Sequence, residues 1–166
     1  MSTEHTPEYT PGPLLEAART TPTALWNDSA DPDEIRRSIA FGGVGATCNP
    51  TIAYTCINQK KERWLPRIAE LAEEMPEASE SEIGWQVVRE LSIEGARFYE
   101  DIFEEYQGRN GRLSVQTDPR NARSATALAD QAEEFSKLAK NIIVKIPATK
   151  TGIVAIKTGA IEVPTD

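Results

Sequence analysis

At 166 residues the chain is long enough for one domain with a sizeable core, and 39% hydrophobic and 27% charged residues are ordinary for a globular protein. A formal net charge of −8 argues against nucleic acid or an anionic membrane as partner, since both select clustered Lys and Arg. No run approaches the ~20 apolar residues of a membrane span. Residues 1–13 are polar, rich in Thr and Pro, and lack the apolar core of a signal peptide. They are expected to be a disordered lead-in to a domain over 14–166, in a cytoplasmic protein.

Two cysteines, Cys48 and Cys56, make no disulfide scaffold, and the one histidine, His5, sits in the lead-in. A reduced compartment and a metal-free chemistry are expected. Half of the acids, 13 of 26, fall between residues 60 and 107, where amphipathic helices are expected, so they read as solvated helix faces.

In chain order, 23–28 (TALWND) reads as a short strand. Asp31 as N-cap, Pro32 at the first helical position and Glu34 three residues after the cap then start a helix to about Phe41. Gly42-Gly43 ends it, and 44–48 is a second strand closing on Asn49-Pro50. Trp64, Leu65, Ile68, Leu71, Ala72 and Met75 carry helical spacing. After Ser79 and Glu82, a capping-box pair, the stripe from Trp85 through Leu91 and Phe98 to Tyr106 does the same. That stripe reads as core packing. A turn at 108–111 precedes a third strand, 112–117 (RLSVQT), and a helix over 125–139. The fourth strand, 141–148 (NIIVKIPA), is β-branched and apolar, and 149–157 begins a further helix.

Strands alternating with helices imply parallel strands joined by crossovers. Neither G-x-G-x-x-G nor G-x-x-x-x-G-K-[ST] occurs, which turns the reading from nucleotide-binding sheets toward an α/β (β/α)8 barrel. Such barrels carry their chemistry at the C-terminal ends of strands. There the sequence places Asp28, Asn49, Gln116 and Lys145. Alternation puts Ile143, Lys145 and Pro147 on one face and Val144, Ile146 and Ala148 on the helix-facing side. By the same rule Ser114, Gln116 and Asp118 face inward, and Leu113, Val115 and Thr117 outward.

A lysine within an apolar strand has two readings. It can pair with a carboxylate such as Asp28 or Asp118, or snorkel from an edge strand. Alternatively, burial lowers its pKa and supplies the neutral amine that attacks a carbonyl. Asp28 can equally cap a turn, Asn49 can be a turn residue before proline, and Gln116 can be an interior hydrogen-bonder.

The segments 25–31 (LWNDSAD), 45–51 (GATCNPT), 114–120 (SVQTDPR) and 142–152 (IIVKIPATKTG) resemble, in order and spacing, the first four strand motifs of transaldolases. The resemblance covers roughly residues 23–157, and Lys145 followed by Thr149 and Gly152 is its most specific part. It implies the N-terminal part of a (β/α)8 barrel and a class I mechanism without cofactor. Lys145 would be the Schiff-base nucleophile, Asp28 the general acid/base, and Asn49 and Thr149 substrate contacts. A dihydroxyacetone unit would pass from a ketose phosphate to an aldose phosphate, as in the pentose phosphate pathway.

Gln116 stands where many transaldolases carry a water-positioning glutamate, and the related fructose-6-phosphate aldolases share the glutamine. That opens aldol cleavage as an alternative. The family also continues with four more βα units, including its arginine grip on phosphate, whereas 157–166 (KTGAIEVPTD) does not resemble it. Barrels of this class need at least ~200 residues. The expectation is therefore an inactive truncated fragment, or a homo-oligomer in which a partner chain completes the fold.

Overall fold

The computed structural model describes residues 12–158. Proline sets the start of three helices: α1 (Pro13–Thr20), α2 (Pro32–Ala40) and α3 (Pro50–Gln59). Its missing N–H falls where a helix has no partner to offer, and its fixed φ suits the first turn. The expected lead-in up to residue 11 lies outside the described residues. The segment from Pro13 is helical, and a Cβ built on Gly42 would lie 2.8 Å from Ala18 and 3.3 Å from Leu15, so α1 packs at the start of the second strand.

The sheet has four strands, β1 (Leu25–Asn27), β2 (Gly43–Cys48), β3 (Arg112–Gln116) and β4 (Ile142–Lys145), in the order β1-β2-β3-β4 and all parallel. Sequential parallel strands joined by right-handed crossovers put their helices on one side of the sheet. The strand order never reverses, as it would in a doubly wound sheet. The architecture is α/β and matches in order and polarity the first four strands of a (β/α)8 barrel.

The remaining helices are α4 (Lys61–Glu74), α5 (Glu80–Arg97), α6 (Glu100–Glu105), α7 (Ala125–Ser136) and α8 (Lys150–Thr158). The core lies between them and one face of the sheet. Ala46, Cys48, Leu113, Val115 and Ile142 of the strands meet Ile35, Ala53, Cys56, Leu91, Ala96, Tyr99 and Phe135, all buried.

The structure corrects several sequence expectations. α3 was read only as a turn at Asn49-Pro50. Its β-branched stretch lacks a clear amphipathic period, but the Asn49 side chain accepts from the Ile52 amide at 2.9 Å and caps the helix. The stripe over 85–106 is two helices, with the break placing Tyr99 wholly in the core.

β4 stops at Lys145 instead of running to Ala148. The Thr149 amide bonds back to the Pro147 carbonyl (2.8 Å), and the Thr149 hydroxyl accepts from the Gly152 amide (3.0 Å), which turns the chain into α8. At Gly152 a Cβ would sit 1.9 Å from the Pro147 carbonyl oxygen. Gly152→Ala should therefore cost about 1–3 kcal/mol by overpacking, read as a lower urea midpoint at unchanged m-value. An unchanged midpoint would refute this account of the turn.

Candidate active site

The face of the sheet turned away from the helices carries the candidate residues. In parallel register Thr47 pairs with Ser114 and Ser114 with Ile143, forming one row; one step toward the strand ends, Gln116 pairs with Lys145. Register partners on neighbouring strands point to the same side. Gln116 and Lys145 are therefore side by side, with Asn49 following β2 near the same level.

Asp28, just after β1, accepts a hydrogen bond from the Thr47 hydroxyl, which ties it to the row below. Asn49 presents its carbonyl oxygen to the Ile52 amide, and nothing else among the described residues engages its NH2 group. Thr149 uses its hydroxyl as the N-cap of α8.

Lys145, Asp28 and Thr149 are exposed and Gln116 is half-buried. Of the two readings of Lys145, this is the edge-strand lysine open to water and not the buried amine. Among the described residues no element faces this side of β4, and Lys145 is the last strand residue on a sheet edge.

Asp118 is a second correction. Alternation put it beside Gln116 on the inner face, but β3 ends at Gln116 and the rule ends with it. Asp118 is 5% exposed and turned toward the helices. Its carboxylate accepts from the Arg120 amide at 2.8 Å and the Arg120 guanidinium at 2.5–3.0 Å. It is not a partner for Lys145.

Two inner-face residues escaped the sequence reading. Thr47 holds Asp28, and the alternation of GVGATC with Asn49 could have placed it there. Trp26 lies one alternation step before Asp28, 39% exposed, with its ring over Gly45, where a Cβ would come within 2.8 Å of it and 2.9 Å of the Arg112 carbonyl. A glycine at 45 is what lets this indole lie flat on the sheet. Cys48, next to Asn49, points the other way. Burial first, then neighbouring Cys56, pushes its thiol up to about 12, so it is no nucleophile at neutral pH.

The described residues contain no group of three or more His, Cys, Asp and Glu side chains placed to hold a metal. They also contain no helix long and apolar enough to cross a membrane. His5 lies outside them.

Burial pushes the Asp118 carboxyl up, but hydrogen bonds from Arg120 and its positive charge outweigh this and leave it below the usual carboxylate range. A depressed folded pKa contributes stability above the unfolded value of about 3.9, lost as pH falls through the folded pKa. Asp118→Asn should therefore be less stable than wild type at pH 7, with the gap closing toward pH 2–3 in urea unfolding. A gap independent of pH would contradict this.

The transaldolase/fructose-6-phosphate aldolase family model matches residues 25–160. Transaldolase 2 of Streptomyces avermitilis is 32% identical over 149 residues, covering 80% of this chain and 37% of its own length. Transaldolase 1 of Streptomyces coelicolor is 33% identical over 119 residues, 68% of this chain and 29% of its own. The transaldolase of Mycobacterium ulcerans is 28% identical over 156 residues, 87% and 40%. The chain thus spans 29–40% of the length of these relatives.

Proposed function

This chain belongs to the transaldolase/fructose-6-phosphate aldolase family, and from that premise we propose that it carries the Schiff-base half of a dihydroxyacetone transfer between sugar phosphates. The observation that carries the reading is the pairing of Gln116 with Lys145 in register, on the sheet face that no helix covers among the described residues. A nucleophile must reach substrate, and this lysine ends a strand, as catalytic groups of such barrels do.

In this reading the Lys145 amine adds to the C2 carbonyl of a ketose phosphate and loses water to give an imine. Asp28 takes the proton of the C4 hydroxyl as the C3–C4 bond breaks. The aldose phosphate leaves, and the electron pair of the broken bond flows to the iminium nitrogen as an enamine. Attack of C3 on an acceptor aldehyde, with proton return from Asp28, forms the new bond. Water then adds to the imine carbon, and the ketose product leaves as the Lys145 amine is regenerated.

Thr47 keeps the Asp28 carboxylate oriented. The Asn49 NH2 group is placed to donate to substrate hydroxyls, and Thr149 sits at the rim before α8. Gln116 holds water by hydrogen bonds and cannot act as a carboxylate base. That residue favours a second reading, cleavage that frees dihydroxyacetone with no acceptor aldose. The proposed setting is the cytoplasm and the pentose phosphate pathway, with the uncovered sheet face and free edges of β1 and β4 favouring a homo-oligomer.

The test is borohydride reduction in the presence of fructose 6-phosphate, with peptide mapping of the added mass. An adduct on Lys145 that disappears in Lys145→Met is expected. Asp28→Ala should still trap the imine while turnover falls ~10²–10⁴-fold. A folded chain with no adduct would be an inactive fragment, and full turnover in Lys145→Met would overturn the mechanism. Dihydroxyacetone released without acceptor would decide for cleavage over transfer.

A further inference from the structure

We propose that Asp118 is the positioning residue for the ends of β3 and β4, acting through Thr117 and Gln116 and never on substrate. This rests on the reading of Lys145 as the Schiff-base nucleophile with the water-holding Gln116 beside it. The last rung between the two strands is the Thr117 amide donating to the Lys145 carbonyl at 3.2 Å. Thr117 is fully buried, yet its hydroxyl has no partner among the described residues, so its own side chain makes no polar anchor.

The anchor is the next residue. The Asp118 amide donates to the Gln131 side-chain oxygen of α7 at 2.7 Å. Its carboxylate gathers the amide and guanidinium of Arg120 from the 3₁₀ turn over Pro119–Arg123. Helix α7 and the turn thus converge one residue beyond the rung that holds the Lys145 backbone. Release of Asp118 lets the strand end slide, and Gln116 loses its register with Lys145. The Asp118 carboxylate is nearly withdrawn from water, although the Arg120 side chain that meets it is 62% exposed, and a charge-assisted bond to a buried acceptor holds position better than one between two exposed groups.

The experiment measures hydrogen exchange of the Thr117 amide and the rate of borohydride trapping of fructose 6-phosphate on Lys145, both in the 166-residue chain. Asp118→Ala should speed exchange of Thr117 by about tenfold and slow trapping by a similar factor. Asp118→Asn keeps a capping oxygen and should return both to within about threefold of wild type. If Asp118→Ala does not fold, Arg120→Ala, which removes only the guanidinium, should still raise Thr117 exchange by about threefold. Unchanged Thr117 exchange in the folded variants would overturn the proposal, as would slow trapping with Thr117 still protected or no rescue by Asn. Should wild type trap nothing, the Schiff-base reading fails by itself, and the exchange ratios still decide the role of Asp118.

Discussion

The pairing of β3 with β4 is the interaction on which the candidate site depends. Parallel register fixes Gln116 opposite Lys145, and alternation sends both to the side away from the helices. A shift of one residue in β4 would turn the lysine toward the helices, and in either strand it would expose apolar residues now in the core. The apolar residues of the other face, Leu113, Val115, Ile142 and Val144, enforce that register by packing under α5 and α7. Core burial and site geometry are thus two faces of one constraint.

The strand ends need further help, because ladder bonds run out there. At β1 the Thr47 hydroxyl restrains Asp28; at β2 Asn49 turns into the cap of α3; at β3 Asp118 binds Arg120; at β4 Thr149 caps α8. Each short polar residue satisfies backbone or side-chain groups that the strand or following helix leaves open. Three of these caps lie beside candidate catalytic positions, so local folding chemistry and the proposed reaction draw on the same loops.

Much of this was legible in the sequence because its signals were local. Asp31-Pro32 and Ser79 with Glu82 gave helix starts that the structure repeats; β1, β3 and β4 fall within the segments read from their apolar and β-branched content, and β2 begins one residue earlier, at Gly43. What failed did so where local rules stop. Alternation carried past Gln116 put Asp118 on the wrong side, and the apolar IIVKIPA run hid the turn that Pro147 and Thr149 impose. Asn49-Pro50 read as a turn because the β-branched Thr51, Ile52, Thr55 and Ile57 masked the helix behind its cap. Between a buried Lys145 and one open on an edge strand the sequence did not decide. That depends on what stands opposite the sheet, a tertiary fact that strand periodicity does not encode.

The central claim is that this uncovered face, and Lys145 on it, is where a sugar phosphate binds. Its most direct test is limited acetylation of the lysines, mapped by peptide mass with and without fructose 6-phosphate. The account predicts ready labelling of Lys145 in the free chain and its protection by the sugar phosphate, with Lys137 and Lys140 on the far side unaffected. Labelling of Lys145 that saturating sugar phosphate does not alter would contradict it.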